Sequence, residues 1–462
     1  MSSASTPAQS PHRVIVVGAG GAGCLAALAL AQAGVAVDLV DRGGDHPSLT
    51  AICGGLVPGA DTSWQQSLGI ADSIEQFVED VMAKNKGQAD AALVRTIGAA
   101  CTEAIEFTGG RLGIELHLYT DIVHPGLSVP RLHATPGESG HELQESLRAR
   151  AAKHPMIRRH VNTLMTHLLA DGSGRVIGAS GSASDGAPVR LEGHAVVIAT
   201  GGFGANRDML RQWIPSMAEA EHVGSLLSTG ELIAGAMGLG AATAHMTGFQ
   251  GHCHVNLGGR THLGGSLPRL GAIMVNLNGR RFGAEDGGYS EFALEVLKQP
   301  QGIAIEIFDE VMHRQVESLG VFREAAEAGE VQRADSVAEL AAHFGLDPQA
   351  LADEITRYNR CVEAGVDSDW GRSILPRKLE APFYGSRVTG ALAHTQGGLK
   401  IDAHARVLAQ DGQPIPGLFA IGGAAACFSG NGAEGYLSGN GLAHAFGTAW
   451  LAAEHLATQA KL

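Results

Sequence analysis

Four glycines and the apolar run before them carry the first chemical signal in the chain. The apolar run is Val14–Val17, typical of a parallel strand that is buried on both faces. Gly18, Gly20 and Gly23 then fit the pattern G-x-G-x-x-G, and Gly21 adds a fourth glycine. In this pattern one glycine allows a tight turn, one lets the backbone approach a pyrophosphate, and one lets a helix pack on the strand. The spacing therefore predicts a dinucleotide-binding turn.

The residues after this turn give the dinucleotide further contacts. Residues 24–33 predict a helix of small residues, whose N-terminus would face the phosphates with unpaired N–H groups and a positive dipole end. Gly34 ends that helix, and a second apolar strand runs to Val40. Asp41 stands 23 positions after the first glycine of the turn, where a carboxylate binds the hydroxyls of an unphosphorylated adenosine ribose. Arg42 beside it is a further candidate contact.

Two other interpretations of this stretch stay open. An ordinary α/β protein can contain a glycine-rich turn with no ligand. Residues 14–37 also carry no charged residue and are long enough to span a bilayer. The five glycines within them and the division into strand, turn and helix argue against a membrane span.

Composition limits the classes of function. The 462 residues suffice for two or three domains, and 45% hydrophobic with 17% charged residues is globular. A net charge of −14 leaves no basic surface for nucleic acid or an anionic membrane, so we expect neither partner. The six cysteines form no C-x-x-C pair, and we expect no metal. The first twelve residues lack the pattern of a secretory signal, which favours the cytoplasm.

Two later stretches also bring glycines to the edge of the predicted sheet. A loop after the second strand contains Gly54 and Gly55, and a buried strand from residue 195 ends in Thr200, Gly201 and Gly202. Between them, apolar spacing predicts helices at 73–83, 91–108 and 140–152, a strand with a turn at 164–176, and loops near 119 and 131–133.

A set of motifs spread along the chain carries a resemblance to a known family. They are AVVIATGGFGAN at 195–206, STGE at 228–231, AIMVNLNGRRF at 272–282 with Glu285, IFD at 307–309, RYN at 357–359, DSDW at 367–370, HTQGG at 394–398 and PGLFAIG at 416–422. With these motifs the sequence resembles the soluble fumarate reductase flavoproteins. That superfamily also contains 3-ketosteroid dehydrogenases and related cyclic-ketone desaturases. The resemblance implies FAD as the cofactor.

The family's architecture implies an α/β fold of two domains. A Rossmann-like, GR2-type FAD-binding domain with a parallel sheet would comprise 1–246 and 377–462, with an α+β capping domain at 247–376. The last helix, 441–458, would point its N-terminus at the flavin. The resemblance also implies flavin contacts at the end of the chain, namely Gly422, Gly423, Gly439, Asn440 and Leu442. The family often has a glutamate where Gly423 stands. Glu434 is an alternative ribityl contact, and serine, threonine or backbone groups could serve equally.

Three histidines match functional positions of the fumarate reductases. His252 and His394 match two histidines that hold substrate carboxylates, and His313 stands where the family has a proton-donating arginine. The alternative for each is a structural histidine in the protein core.

Tyrosines stand where the fumarate reductases have arginines. Tyr436 occupies the place of a substrate-clamping arginine, and Tyr289 that of an arginine four residues past Glu285. Loss of the bidentate guanidinium disfavours a dicarboxylate substrate. Ketone desaturases of the superfamily instead use tyrosines to abstract an α-proton and polarise the carbonyl. Tyr119 is a third candidate, and ordinary packing is the alternative for all three.

We therefore expect an FAD-dependent dehydrogenase that introduces a C=C bond next to the carbonyl of a small cyclic ketone or oxo acid. The expected mechanism is tyrosine-assisted α-proton abstraction with transfer of the β-hydride to FAD. The electron acceptor is unidentified, with oxygen or a quinone as candidates. The first alternative is a fumarate-reductase-like ene-reductase of an unsaturated carboxylate, and the second is a non-catalytic FAD-binding protein.

Overall fold

The computed structural model describes residues 13–43, 47–120, 123, 126–259 and 261–461. The first twelve residues, on which the expected compartment depends, lie outside the described residues.

Within the described residues the strands, in chain order, are β1 Val14–Val17, β2 Val37–Val40, β3 Val57–Pro58, β4 His117–Tyr119, β5 Leu132–Ala134, β6 Ile157–His160, β7 Thr163–Ala170, β8 Val176–Ala183, β9 Pro188–Glu192, β10 Ala195–Ile198, β11 Glu221–His222, β12 Thr243–Ala244, β13 Phe249–Asn256, β14 Ile273–Asn276, β15 Ile303–Asp309, β16 Gln332–Ala334, β17 Phe383–Thr395, β18 Gly398–Leu399, β19 Arg406–Leu408 and β20 Pro414–Ala420.

The α-helices are α1 Gly21–Gln32, α2 Leu49–Ile52, α3 Ser63–Ser67, α4 Ile74–Lys84, α5 Ala91–Glu106, α6 Gly140–Lys153, α7 Arg207–Trp213, α8 Glu231–Gly238, α9 Leu267–Leu270, α10 Tyr289–Leu297, α11 Glu310–Val316, α12 Gly320–Glu327, α13 Val337–Phe344, α14 Pro348–Ala364 and α15 Asn440–Gln459.

The chain divides into two compact units. Unit 1 contains the residues through Met209, then Gly224–Phe249, and the residues from His394 onwards. Unit 2 contains Leu210–Val223 and Gln250–Ala393. The sequence-based domain division, with a cap at 247–376, stays a prediction beside these bounds.

Unit 1 is built on a sheet with the order β19-β20-β10-β1-β2-β6. β1 lies between β10 and β2 and runs parallel to both, so that Val14 pairs with Ala195 on one side and Val37 on the other. β1, β2 and β10 have four residues each, and every one of these residues is buried, as expected for a parallel sheet covered on both faces. α1 packs against α6 and α15, and α15 packs against α5. The α/β fold expected from the sequence is confirmed.

Unit 2 has its own sheet and core. Its strands follow the order β11-β17-β15-β14, and β13 and β16 also pair with β17. Apolar side chains of β14 and β15, such as Ile273, Ile305 and Phe308, are buried against α-helices of the same unit. Antiparallel pairing brings Glu306 of β15 opposite Ser386 of β17. Both of these polar residues are buried in the sheet.

Most predicted elements agree with the structure, and one prediction was wrong. The helices predicted at 73–83, 91–108 and 140–152 correspond to α4, α5 and α6, and the strand predicted at 164–176 is the hairpin of β7 and β8. The predicted loops near 119 and 131–133 instead contain β4 and β5. These strands have three residues each, too few for alternation of polar and apolar residues to be visible in the sequence. The stretch 14–37, weighed as a membrane span, contains β1 and the twelve-residue α1.

Candidate flavin site and active site

The turn between β1 and α1 needs glycine at two positions for reasons internal to the protein. Gly18 has φ +112°, and a Cβ there would lie 2.3 Å from the carbonyl oxygen of Ala199. A Cβ on Gly23 would lie 1.8 Å from the oxygen of Gly18. At Gly20, by contrast, the nearest atom to a Cβ would be 3.7 Å away, on Ser48. The surrounding protein atoms therefore leave room for a side chain at position 20. A pyrophosphate bound close to the backbone would require glycine there.

The first turn of α1 is open to an anion. Gly20 is its N-cap residue and provides no side-chain cap, and no acidic residue lies in the first turn. The N–H of Gly21 donates to Oγ1 of Thr50 at 3.2 Å. The remaining N–H groups and the helix dipole suit a phosphate.

Asp41 follows β2 and is held by two hydrogen bonds. Its Oδ1 accepts from the N–H of Gly43 at 3.1 Å, and its Oδ2 accepts from Arg148 at 3.3 Å. A carboxylate has about four acceptor positions, so Asp41 retains capacity for ribose hydroxyls. Arg42, also predicted to contact the cofactor, donates to Thr229 at 3.0 Å and lies 3.6 Å from Glu231.

A second glycine turn follows β10 and packs against the motif HTQGG. The N–H of Phe203 donates to Oγ1 of Thr395 at 3.1 Å, and a Cβ on Gly202 would lie 2.1 Å from the same atom. Gly201 has φ +76°. Oγ1 of Thr200 is buried and has no hydrogen-bond partner among the residues that the structure describes. Because buried hydroxyls are nearly always paired, this atom fits a contact to a bound ligand.

The C-terminal segment closes on the same turn. A Cβ on Gly423 would lie 3.0 Å from the N atom of Gly202, and the N–H of Gly422 donates to Thr448 at 3.0 Å. The N-cap of α15 is Gly439, with φ +83° and no side-chain cap. Oδ1 of Asn440 is buried and, within the described part of the chain, without a partner. The uncapped helix start and the unpaired oxygen fit FAD.

The other predicted cofactor residues have varied surroundings. Gly55 has φ +69°, and a Cβ there would lie 2.7 Å from the N atom of Gly140. Gly54 is exposed. Leu442 donates its N–H to the oxygen of Gly439 in the first turn of α15. Glu434, the alternative ribityl contact, forms an exposed ion pair with Lys86.

His394 and Tyr436 meet in unit 1. Their ring centroids are 6.0 Å apart and their planes cross at 73°. His394 lies against α15, since a Cβ on Gly441 would lie 3.6 Å from its Nε2 atom. Its Nδ1 is 3.3 Å from the carbonyl oxygen of Thr395, which can only accept, so Nδ1 carries the proton. Burial lowers the pKa of His394, partly offset by this hydrogen bond, and favours a neutral ring with an unprotonated Nε2.

His252 and Tyr289 meet in unit 2. Their ring centroids are 5.2 Å apart, and the hydroxyl of Tyr289 accepts a hydrogen bond from Gln250 at 3.2 Å. His252 comes from β13 and Tyr289 from the first position of α10. Burial, followed by repulsion from His262 and His254, lowers the pKa of His252 well below its ordinary value.

The other two predicted residues lie elsewhere in their units. His313 of α11 stacks on Tyr384, with ring centroids 4.3 Å apart, and its Nδ1 is 3.5 Å from Glu317. Tyr119 ends β4, where it pairs with Leu132 in a three-stranded sheet.

Sequence reasoning missed a buried charged network in unit 2. Arg281 donates two hydrogen bonds to Glu285, at 2.8 and 2.7 Å, and one to Asp367 at 2.9 Å. Arg372 donates to Glu285 at 3.2 Å, and both guanidinium groups lie 5.4 Å from the ring centroid of Tyr358. The signal was available, because each of these residues except Arg372 belongs to a motif that carries the family resemblance. The pair of His254 and Glu306 was also missed.

Comparison with known proteins places the chain in a family. A family profile described as an FAD binding domain matches residues 13–442. A probable fumarate reductase of Shewanella frigidimarina is 30% identical over 437 residues, covering 93% of this chain and 72% of the relative. A urocanate reductase of Eggerthella lenta is 30% identical over 422 residues, covering 88% of this chain and 69% of the relative.

Two solved structures share the architecture. The open conformation of a flavocytochrome c3 fumarate reductase superposes with a TM-score of 0.84 at 29% identity, covering 97% of this chain and 78% of that one. A 3-ketosteroid-Δ4-(5α)-dehydrogenase from Rhodococcus jostii RHA1, in complex with 4-androstene-3,17-dione, gives 0.75 at 25% identity, covering 98% and 99%.

The chain belongs to the FAD-binding family of flavoproteins, as the motifs predicted. More particularly, it is an FAD-dependent oxidoreductase that acts on CH–CH groups. Among the described residues, the helices are too short or too polar to cross a membrane.

Proposed function

We propose that this oxidoreductase is a desaturase that introduces a C=C bond α,β to the carbonyl of a small cyclic ketone or oxo-carboxylate. The pairing of Tyr436 with His394 beside the start of α15 is the observation that carries the proposal. As a phenolate, a tyrosine can take the acidic proton α to a ketone, and as a phenol it can donate a hydrogen bond to the ketone oxygen. An arginine at position 436 would instead bind a carboxylate through two parallel hydrogen bonds.

Each group near α15 has a definite task in this proposal. Bound FAD supplies the hydride acceptor. The unprotonated Nε2 of His394 can accept a hydrogen bond from a phenol, which eases proton movement at Tyr436, whose ordinary pKa is near 10. The N–H groups at the start of α15 have no side-chain cap, and they stabilise negative charge that develops near the first turn of this helix.

The substrate class follows from the retained histidines and the replaced arginine. His394 supports a hydrogen-bonding, oxygen-bearing substrate, and Tyr436 in place of arginine disfavours a dicarboxylate. His252, Tyr289 and His313 of unit 2, and Tyr119 of unit 1, remain candidate substrate contacts. We propose oxygen or a quinone as the electron acceptor and the cytoplasm as the compartment.

Anaerobic mixing tests the direction and the substrate class together. The FAD-loaded protein is mixed with cyclohexanone, with a cyclohexanone carboxylate, and with succinate as the dicarboxylate control. Desaturation predicts bleaching of the oxidised flavin absorbance at about 450 nm with one of the cyclic ketones. Bleaching with succinate alone would overturn the proposal.

An ene-reductase of an unsaturated carboxylate is the second candidate, favoured by the reductases among the relatives. Its test runs in the opposite direction, from the chemically reduced protein. Recovery of the absorbance at about 450 nm on addition of fumarate or urocanate, with no bleaching by the cyclic ketones, would favour this candidate.

A further inference from the structure

One face of β13 carries a row of polar side chains. Side chains alternate along a strand, so Gln250, His252, His254 and Asn256 share a face. Cys253, between them, belongs to the apolar core of unit 2. The row runs from a half-buried end at Gln250 and His252 to a buried end at His254 and Asn256.

The buried end contains a carboxylate with an imidazole partner. Nδ1 of His254 lies 2.8 Å from Oε2 of Glu306, and the two residues are 1% and 0% exposed. Oε1 of Glu306 is buried and has no hydrogen-bond partner among the residues described. Desolvation makes such a pair at best a weak source of stability, since apolar residues of the same volume would serve as well. Its presence therefore calls for a role other than holding the sheet together.

The pair is positively charged on its histidine side. Burial opposes a charge on His254, but attraction and hydrogen bonding to the carboxylate of Glu306 raise the pKa of His254 well above its ordinary value. Burial also raises the pKa of the Cys253 thiol, which keeps that group neutral. The carboxylate of Glu306 is therefore the group that holds the proton on His254.

The outer end is linked to the pair by the backbone and by ring contacts. The N–H of His254 donates to Nδ1 of His252 at 3.4 Å, so the proton of a neutral His252 ring resides on Nε2. The ring of His252 lies 5.5 Å from that of His254, 4.9 Å from that of His262 and 5.2 Å from that of Tyr289. A charged His254 at this distance opposes a second positive charge on His252.

We propose that Glu306 and His254 form a buried positioning pair that holds His252 as a neutral imidazole protonated on Nε2, a fixed hydrogen-bond donor for a substrate oxygen. Among the described residues of unit 2, the titratable groups in ring contact with His252 are His254 on the same strand, His262 on the loop after it, and Tyr289 on α10. Glu306 on β15 acts through His254. The role of His252 as a donor to a substrate oxygen rests on the proposed function, whereas its protonation state does not.

Nuclear magnetic resonance of the FAD-loaded protein with ¹⁵N-labelled histidine tests the pair directly. The His252 resonances are assigned by their loss in His252→Asn. Between about pH 5 and pH 8 the wild type is expected to show His252 neutral, protonated on Nε2 and not titrating, with His254 charged throughout. Titration of His252 near its ordinary pKa of about 6.5, or a proton on Nδ1, would overturn the proposal. His252→Asn is needed only for the assignment, and the protonation states are measured on the wild type.

Glu306→Gln then tests whether the carboxylate of Glu306 affects the charge on both histidines. Ser386→Ala is the matched control, because Ser386 pairs with Glu306 across the sheet and its side chain does not titrate. In Glu306→Gln, His254 is expected to become neutral near pH 7 and the pKa of His252 to rise, while burial, the largest cause of its lowered pKa, remains. Ser386→Ala is expected to leave both histidines unchanged. Equal spectra for the wild type and Glu306→Gln would overturn the proposal.

The two proposals fail separately. If the cyclic ketones do not bleach the flavin while His252 remains neutral with its proton on Nε2, the proposed function fails and the positioning pair stands. If the ketones react and kcat/KM in Glu306→Gln keeps the pH profile of the wild type, the pair has no bearing on the reaction.

Discussion

The imidazole of His394 and the phenol of Tyr436 meet edge to face, with ring centroids 6.0 Å apart. His394 lies on β17 and Tyr436 in the segment before α15, so two separate parts of unit 1 place them. Because the two rings are in contact, we expect substitution of either residue to affect the reaction.

Tyr436→Phe removes the hydroxyl and keeps the ring against His394. We expect FAD to remain bound and kcat to fall roughly 10²-fold or more, the usual scale for an acid, base or oxyanion group. Steady-state kinetics with the reactive ketone, alongside flavin absorbance, measures both quantities. Tyr358→Phe is the matched control, because it removes a buried hydroxyl 3.3 Å from the oxygen of Arg377 and should leave kcat near normal. Normal turnover in Tyr436→Phe would remove this residue from the mechanism.

The pH profile reports on His394. Burial lowers the pKa of this imidazole, so its neutral form persists below the ordinary value of about 6.5. If the neutral form is the active one, kcat should be flat near pH 7 and fall only as the pH drops through the lowered pKa. We expect His394→Asn to reduce kcat and to lose this acidic limb. An acidic limb centred above pH 6.5 in the wild type would contradict the assignment.

Asp41 is expected to contribute to FAD affinity through the ribose. Hydrogen bonds to a charged group are worth about 1.5–3 kcal/mol, so Asp41→Ala should raise the Kd of FAD roughly 10- to 100-fold. Quenching of FAD fluorescence on titration of the flavin-free protein gives the Kd. Asp90→Ala is the control, since Asp90 caps α5 through the N–H groups of Ala92 and Leu93. Equal affinities in the two variants would mean that Asp41 does not bind the ribose.

Two buried histidines predict sensitivity to acid. Burial lowers the pKa of His133 and of His444 to about 4 in each case. Because the unfolded chain takes up these protons near pH 6.5, folding stability present above that value is lost as the pH falls towards 4. Each group contributes roughly 3 kcal/mol to this loss. Urea unfolding at pH 7 and pH 4.5 should therefore show a smaller loss in His444→Leu than in the wild type.

The matched control for the acid test is His167→Leu, because His167 is exposed. That variant should show the same loss of stability on acidification as the wild type. The prediction is contradicted if His444→Leu and His167→Leu respond to pH alike.

The sequence predicted those parts of the fold that depend on local patterns. The turn from Gly18 to Gly23 and the strands on either side of α1 follow from residue spacing within thirty positions. The last helix, expected at 441–458, is α15 at Asn440–Gln459. The three-residue strands β4 and β5 escaped prediction, because they are defined by pairing with each other and with β3.

The candidate site shows the same limit. The sequence named His394, Tyr436, His252 and Tyr289 separately, but nothing in it could show which of them touch. Glu306 was not named at all, since it lies 52 positions from His254 and is brought to it by the strand order of unit 2. Contacts of this kind depend on β-strand pairing between distant segments, which local periodicity does not encode.

The position of β1 in its sheet has a consequence for biosynthesis. β1 is among the first described residues to leave the ribosome, yet one neighbour, β10, ends at Ile198, and β10 in turn pairs with β20, which ends at Ala420. α15, which packs on α1, follows later still. A nascent chain that has not reached these segments therefore leaves the β10 edge of β1 and the side of α1 that packs on α15 uncovered. Production of this flavoprotein should depend on chaperone capacity, and prematurely terminated chains should be substrates for proteolysis.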